Sequence, residues 1–292
     1  MQCPLPGKFA RGGFWPYPAS MSWRITPKFA SRHPEDAQVF THHRKVLALT
    51  GATTLTTIRD ACEVSRLDNF ESTFASVAFV DLAGFSALTD VHGDASAVRV
   101  LKRFEEFVHD ALGGHGPPIK WIGDEAMFGF PDPATALEVL GRLLPACRSE
   151  PEIPLTRTGI NHGPVLRRAN DLFGSTVNIA ARIAAKAAPG QLLATEPVAT
   201  IAIASGIVAK ELGPVRLRSI VNRVPLYSIE LAPVSDPVWI CPVCKMHAPF
   251  EAYRKTTLKG PWFCSARCAE AYRRSPETYP GWLEAAPVRV TS

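Results

Sequence analysis

The hydrophobic and polar positions between residues 71 and 231 predict a succession of short strands. Apolar runs that are rich in β-branched and aromatic side chains, and that are bounded by turn residues, are typical of buried strands. Such runs cover residues 76–80, 155–161, 192–195, 215–218 and 224–229. Two further runs, 119–122 and 126–130, flank the dipeptide Gly123-Asp124 and predict a hairpin.

Helical periodicity fills the intervals between these strands. Residues 95–112 place apolar side chains three or four positions apart, which indicates an amphipathic helix that ends at Gly113-Gly114. A second helix is predicted to begin at Asp132, a favourable N-cap residue, and to run toward residue 146. A third covers residues 175–188. Strands that alternate with helices and hairpins predict an α/β sandwich.

The two ends of the chain have different patterns. Dense proline and glycine before residue 40 disfavour regular structure, so we expect a loosely ordered leader that overlaps a helical stretch over residues 34–66. A linker that contains Pro233 and Pro237 follows residue 231. The predicted divisions are therefore residues 1–70, 71–231 and 236–282.

Composition narrows the class of protein. A hydrophobic fraction of 46% and a charged fraction of 20% are ordinary for a globular chain of 292 residues. The net charge is +5, but residues 71–232 carry 15 basic and 17 acidic side chains, a balance of −2, which argues against a nucleic-acid partner there. No uncharged apolar run is long enough to predict a membrane span, and the N-terminus does not resemble a secretory signal.

Four of the seven cysteines lie near the C-terminus in two pairs. Cys241 and Cys244 are separated by two residues, Cys264 and Cys268 by three, and nineteen residues lie between the pairs. This spacing can present four thiolates to one Zn²⁺ ion, although a disulfide is the alternative reading. A segment this short cannot bury much core, so the metal would supply much of its stability. A reducing, cytoplasmic setting is the expected location.

Three segments place polar residues at the ends of predicted strands: Phe79-Val-Asp-Leu-Ala-Gly-Phe-Ser86, Lys120-Trp-Ile-Gly-Asp124 and Asp171-Leu-Phe-Gly-Ser-Thr-Val-Asn178-Ile-Ala-Ala-Arg182. A carboxylate at a strand end, followed by a glycine turn with free backbone N–H groups, can hold a divalent cation and bind phosphates. Together these segments resemble the class III adenylate and guanylate cyclases over residues 74–231.

The resemblance implies a ferredoxin-like catalytic domain that acts on a nucleoside triphosphate. It implies that Asp81 and Asp124, with the carbonyl of Leu82, bind two Mg²⁺ or Mn²⁺ ions. It also implies that the backbone of Ala83, Gly84, Phe85 and Ser86 binds the phosphates and that the side chains of Lys120 and Asp171 recognise the purine. The side chains of Asn178 and Arg182 are implied to stabilise the transition state. In this family the metal-binding and purine-reading residues of one site come from different domains, which implies a head-to-tail homodimer.

The chemistry of the purine-reading pair favours ATP as substrate. A lysine can donate to N1 of adenine, which is an acceptor, whereas N1 of guanine carries a proton; an aspartate can accept from the exocyclic amine of adenine. The expected reaction converts ATP to 3′,5′-cyclic AMP and pyrophosphate. The alternatives are a guanylate cyclase, or a catalytically silent cyclase fold that senses metal or binds a partner. The histidines, His92 among them, show no spacing that predicts a ligand set.

The C-terminal segment resembles a second family. Cys241-Pro-Val-Cys-Lys-Met246, Trp262-Phe-Cys-Ser-Ala-Arg-Cys268 and Ser275-Pro-Glu-Thr-Tyr279 resemble the YHS/TRASH family of small treble-clef modules. Many of its members have one cysteine in the first motif rather than two. Coordination by four cysteines therefore follows from the spacing more than from the resemblance.

Overall fold

A mixed sheet of eight strands forms the framework of this computed structural model, which describes residues 70–232, 239–248 and 261–279. The predictions for the leader and the helical stretch before residue 70 lie outside these residues. The strands are β1 (Glu71–Leu82), β2 (Lys120–Ile122), β3 (Glu125–Phe130), β4 (Thr156–Arg168), β5 (Asp171–Phe173), β6 (Leu192–Thr195), β7 (Ala209–Val215) and β8 (Val224–Ile229). Their order is β2-β3-β1-β4-β6-β8-β7, and β5 pairs with β4. All described pairs are antiparallel except β4 with β6.

Helices cover both faces of this sheet. They are α1 (Phe85–His92), α2 (Asp94–Leu112), α3 (Pro133–Ser149), α4 (Ser175–Lys186), α5 (Glu196–Ala204) and α6 (Ala266–Arg274). Alternate residues of β1 point to opposite faces: Val80 packs in the core that includes residues of α2 and α3, and Phe79 packs in the core that includes residues of α4. Because both faces are covered, β1 reads as a continuous apolar run in its second half.

Glycine at position 159 decides how closely α4 lies on the sheet. A Cβ atom there would lie 2.1 Å from the backbone nitrogen of Ala184, so no larger residue fits without moving the helix. This contact holds α4 directly over β4. It thereby fixes the position of the residues in the N-terminal half of α4.

Most predicted elements are confirmed, and the first turn of α3 is an example. The Asp132 carboxylate accepts a hydrogen bond from the backbone N–H of Thr135 at 2.8 Å, as an N-cap residue should. The predicted strand at 215–218 is wrong, since β7 ends at Val215. Among the described strands, β7 pairs with β8 alone, so it is an edge strand in which Pro214 is tolerated.

Strand β4 and helix α5 are among the other elements that differ from the prediction. Strand β4 continues well past residue 161 because β1 pairs with it as far as Arg167. Helix α5 was not predicted: its sequence is apolar on nearly every side, with Pro197 in its first turn, and lacks the period of an amphipathic helix.

The C-terminal segment, residues 239–248 and 261–279, packs against the core on the α2 and α3 side of the sheet. Cys241, Val243 and Trp262 are buried in the same core as Leu88 and Val100. Helix α6 contacts α1. None of the helices that the structure describes has the length and hydrophobicity to cross a lipid bilayer.

Candidate active site

An acidic cluster, formed by Asp81, Asp124 and Glu125, lies where β1 meets the β2–β3 hairpin. Asp81 is opposite Glu125 in the β1–β3 register, and Asp124 occupies the hairpin turn after Gly123, which has φ of +67°. On the other side of β1, Arg157 is opposite Asp81, and its Nε donates to Asp81 Oδ2 at 2.8 Å. Adjacent strands thus bring three carboxylates and one guanidinium together.

Burial and the proximity of like charges both raise the pKa values of carboxyl groups in the acidic cluster. Burial, together with the charge of Asp81, raises the pKa of Asp124 to about 6. The same two causes raise the pKa of Glu125 to about 7. Arg157 offsets only part of the negative charge. A cluster that is short of positive charge and offers carboxylate oxygens fits a hard divalent cation such as Mg²⁺ or Mn²⁺.

The glycine turn, residues 83–86, connects β1 to α1 beside this cluster. Gly84 has φ of +76°, a conformation that residues with a side chain rarely adopt. The N–H of Ala83 donates to the carbonyl of Leu155 at 2.8 Å and is therefore engaged. Among the described residues, no acceptor partners the N–H groups of Gly84, Phe85 or Ser86. The turn can thus offer three N–H groups to an anion, at the start of a helix.

The predicted purine-reading residues lie together. Lys120 Nζ donates to Asp171 Oδ2 at 2.6 Å, and the ammonium lies 5.9 Å from the centre of the Phe173 ring. The contact depends on β5 folding over β3, and Gly129 leaves room for it: a Cβ atom there would lie 2.6 Å from Leu172 Cδ1. Residues far apart in sequence therefore form one polar pair because a glycine lets two strands approach.

Asn178 and Arg182 are exposed on α4 and lie one turn apart. Arg182 also lines a surface groove with three further basic residues, Lys186, Arg216 and Arg218. Such a groove favours a polyanion. No spacing in the sequence links Arg216 and Arg218 to α4, because they lie in the connection between β7 and β8.

A second group of ligating side chains, the Cys/His cluster, lies between α1 and the C-terminal segment. It consists of His92, Cys244, Cys264 and Cys268, whose ligand atoms all lie within 4.8 Å of one another. Three of the four predicted thiols are thus brought together, and Cys241 is buried nearby. His92 was missed, because it lies 152 positions before Cys244 and no local motif marks it.

Comparison with known proteins agrees with this arrangement. Residues 69–230 match the family model of the adenylate and guanylate cyclase catalytic domain. The chain is 34% identical over 161 residues to the pH-sensitive adenylate cyclase MT1302 of Mycobacterium tuberculosis (strain CDC 1551 / Oshkosh), covering 53% of this chain and 40% of that protein. It is 35% identical over 108 residues to an adenylate cyclase of Streptomyces griseus, covering 37% of this chain and 27% of that protein. The chain therefore spans less than half the length of these relatives.

Among solved structures, the adenylyl cyclase CyaB from P. aeruginosa shares the fold, with a TM-score of 0.50 at 17% identity over 56% of this chain and 96% of that one. The family match covers more than half of the sequence, and it includes both the acidic cluster and the Lys120–Asp171 pair. The chain belongs to the family of adenylate and guanylate cyclase catalytic domains.

Proposed function

We propose that this protein is an adenylate cyclase, which converts ATP to 3′,5′-cyclic AMP and pyrophosphate. The ribose 3′-oxygen attacks the α-phosphorus, the bond from that phosphorus to the β-phosphate oxygen breaks, and the 3′-hydroxyl proton passes to solvent. The observation that carries the choice of ATP is the Lys120–Asp171 pair, which combines a donor and an acceptor. The names of the two bacterial relatives above point the same way.

The acidic cluster would hold the divalent ions. Asp81 and Asp124, with the carbonyl of Leu82, are the proposed ligands, and the raised pKa of Asp124 supports them because a bound cation would relieve the repulsion. Two ions, Mg²⁺ or Mn²⁺, supply charge neutralisation of the triphosphate and activation of the 3′-hydroxyl when bound. Arg157 donates a hydrogen bond to the Asp81 carboxylate. Asp81 would therefore either share its carboxylate between Arg157 and an ion or release Arg157.

The chain's own groups would orient the rest of the nucleotide. The N–H groups of Gly84, Phe85 and Ser86 would bind the β- and γ-phosphates; Ala83 contributes less than expected, because its N–H already donates to Leu155. Asn178 would orient the ribose. Arg182 would stabilise the negative charge that builds at the α-phosphate and on the leaving pyrophosphate. The basic groove around Arg182 supports this role.

Lys120 and Asp171 would select the base. Lys120 would donate to N1 of adenine, and Asp171 would accept from its amine. Guanine presents an N–H and a carbonyl at these positions, so both protein groups would be left without a match. We therefore propose discrimination against GTP.

The active form is proposed to be a head-to-tail homodimer. The acidic cluster and the Lys120–Asp171 pair lie toward opposite ends of the short strand β2, roughly 7 Å apart along the strand. An apolar side chain is exposed at each end: Ile122 is 49% exposed and Phe173 is 43% exposed. A second copy would cover them, with Asp81 and Asp124 of one chain facing Lys120, Asp171, Asn178 and Arg182 of the other.

The C-terminal segment is proposed to be a zinc-binding module of the YHS/TRASH type with a treble-clef fold. Support comes from the tight turn over residues 241–245, in which Lys245 N–H donates to the Cys241 carbonyl at 3.1 Å, and from α6, whose N-cap residue Ser265 lies next to Cys264. We place its boundaries at residues 236–282, after the catalytic domain of residues 71–231.

Cyclic nucleotide formation by the purified full-length protein tests the assignment. With Mn²⁺, we expect cyclic AMP from ATP, less cyclic GMP from GTP, and at least about a hundredfold loss in Arg182→Ala. Arg99→Ala, which removes an exposed arginine of α2, is the matched control and should match the wild type. Equal products from ATP and GTP would favour a nonselective cyclase, and no product from either would favour the silent, metal-sensing alternative.

Mixing two inactive variants tests the dimer. Asp124→Ala and Arg182→Ala would each inactivate both sites of their own homodimer. In a one-to-one mixture, half of the dimers would be heterodimers with one intact site, so about a quarter of the wild-type activity should return. A mixture as inactive as its components would contradict a shared site.

A further inference from the structure

The geometry of the Cys/His cluster resembles a preformed tetrahedral metal site. The Sγ atoms of Cys244, Cys264 and Cys268 are separated by 3.3 Å, 3.6 Å and 3.8 Å. The Nε2 atom of His92 lies 3.2 Å from the Cys268 sulfur and 3.8 Å from the Cys264 sulfur. Tetrahedral zinc, with Zn–S bonds of about 2.3 Å and Zn–N bonds of about 2.0 Å, separates its ligands by about 3.5 to 3.8 Å. These five separations lie within about half an ångström of the tetrahedral values, and all four ligand atoms lie within 4.8 Å of one another.

We infer that His92 is the fourth ligand of a thiolate–imidazole metal site, so that one ion joins the cyclase domain to the C-terminal segment. Three thiolates and one imidazole suit zinc or another soft to borderline cation. Cys241 is outside the group of four ligand atoms that all lie within 4.8 Å of one another, although its thiol interacts with all three cluster thiols. Its backbone is part of the turn: its N–H donates to the Met246 carbonyl at 2.8 Å.

The position of His92 connects this ion to the proposed phosphate site through helix α1. It is the last residue of α1, and α1 begins at Phe85 inside the glycine turn. An ion on His92 therefore fixes the far end of the helix whose first N–H groups would bind phosphates. The part of the inference that concerns nucleotide binding rests on the proposed function.

The C-terminal segment also contacts the near end of α1. A Cβ atom on Gly84 would lie 3.1 Å from the carbonyl carbon of Cys244 and 3.0 Å from Lys245 Cγ, so this backbone passes directly against the turn. The Lys245 carbonyl accepts a hydrogen bond from Leu155 at 3.1 Å, and the Leu155 carbonyl accepts one from Ala83 at 2.8 Å. Cys244 and Lys245 thus pack against the glycine turn at the N-terminal end of α1, and His92 is the proposed ligand at its C-terminal end.

It follows that metal occupancy stabilises the glycine turn and raises affinity for the nucleotide. Without the ion, three close thiols and an imidazole lose their common partner, and the segment loses much of what fixes it on α1. The loss should act on KM for ATP more than on kcat, because the acidic cluster lies on other elements. The site would then make cyclase output depend on the supply of a thiophilic metal.

Metal content and Co²⁺ spectra of the full-length protein test the ligand set without any activity assay. We expect one zinc per chain in the wild type and in Cys241→Ser, and at least about tenfold weaker zinc binding in His92→Ala. His109→Ala is the matched control, because the His109 side chain is 90% exposed on α2. The Co²⁺ form should show charge-transfer intensity for three thiolates in the wild type, and for four in His92→Cys, which keeps a ligand and so guards against misfolding.

Two results would overturn the inference. One is a wild-type spectrum with four thiolates that loses one in Cys241→Ser and is unchanged in His92→Ala. The other is a protein without zinc whose cluster thiols have oxidised to a disulfide, shown by fewer free thiols than the seven cysteines can supply.

A separate measurement tests the coupling to the turn. Removing zinc with a chelator, and then restoring Mn²⁺, should raise KM for ATP severalfold while kcat changes less. Zinc should restore KM in the wild type and in Cys241→Ser, but not in His92→Ala. Unchanged KM on removal of zinc would refute the coupling. If the wild type makes no cyclic nucleotide at all, the proposed function fails, whereas the zinc content and Co²⁺ spectra still decide the ligand set.

Discussion

The acidic cluster and the Cys/His cluster are two ways of assembling a cation site in one chain. The acidic cluster is built by neighbouring strands, and burial together with the charge of Asp81 raises the pKa of Asp124 to about 6 and that of Glu125 to about 7. The Cys/His cluster joins a helix of the cyclase domain to a segment that begins more than 140 residues later. Its donors are soft, and they belong to two parts of the chain.

Because the two sites are assembled differently, we expect them to respond differently to substitution. The acidic cluster lies on a sheet that packs against hydrophobic core on both of its faces. Removing one carboxylate should therefore leave the fold intact. The Cys/His cluster is part of what holds the C-terminal segment in place, so removing one ligand should alter stability as well as metal binding. Four predictions, in decreasing order of expected effect, test this contrast.

Asp124→Ala should lower cyclase activity at least about a hundredfold, because it removes a proposed metal ligand from the acidic cluster. Zinc content should stay at one per chain. Activity with Mn²⁺ and metal analysis of the same preparation measure both quantities. Asp110→Ala, at an acidic residue that is 80% exposed, is the control and should change neither. A loss of zinc in Asp124→Ala would show that the two sites are not independent.

Cys264→Ser should abolish stoichiometric zinc binding and lower the free energy of unfolding by on the order of 3 kcal/mol, because a metal ligand is lost. Thermal unfolding with and without a chelator measures the effect. The wild type should fall to the level of the variant when the chelator is present. If chelator and substitution have additive effects on stability, the serine acts through packing and not through the metal.

Lys120→Ala should lower kcat/KM for ATP by roughly tenfold to a hundredfold and should bring the values for ATP and GTP closer together. The reason is that Asp171 loses its partner at 2.6 Å and the site loses a donor to adenine. Steady-state kinetics with both nucleotides measure the ratio. Lys210→Ala, on edge strand β7, is the control for loss of one positive charge. An unchanged ratio of ATP to GTP would mean that the base is read elsewhere.

Asp124→Asn should stabilise the metal-free protein at pH 8 by about twice as much as at pH 5. The folded state raises the pKa of Asp124 from its ordinary value near 4 to about 6, so the folded state binds the proton more tightly. This favourable contribution is full below pH 4 and is lost as pH rises through 6, so the charged carboxylate destabilises the fold at pH 8.

The expected gain at pH 8 is about 1 kcal/mol, smaller than the full shift would give because Asp124 is only half-buried and solvent screens its charge. Chemical unfolding in the presence of a chelator, at both pH values, measures it. Saturating Mn²⁺ should reverse the order and favour the wild type. A stabilisation that is equal at pH 5 and pH 8 would exclude a charge effect.

Local patterns predicted the parts of the site that depend on neighbouring residues. Asp124 between two apolar runs indicated its place in a hairpin turn, as observed. The prediction of a strand at residues 215–218 was wrong because β7, an edge strand that tolerates Pro214, ends at Val215 and the following Arg216-Leu217-Arg218 belongs to no described strand. Local periodicity does not reveal which neighbour a strand will have.

The sequence by itself determined the succession of strands and helices, the carboxylate at the end of β1 and the spacing of the C-terminal cysteines, because each depends on residues a few positions apart. Only the tertiary structure decided that Arg157 pairs with Asp81, that Ala83 donates to Leu155, and that His92 lies among three thiols. These contacts join segments separated by tens of residues. Their partners are set by sheet register and by close packing at Gly84 and Gly129, which no local pattern encodes.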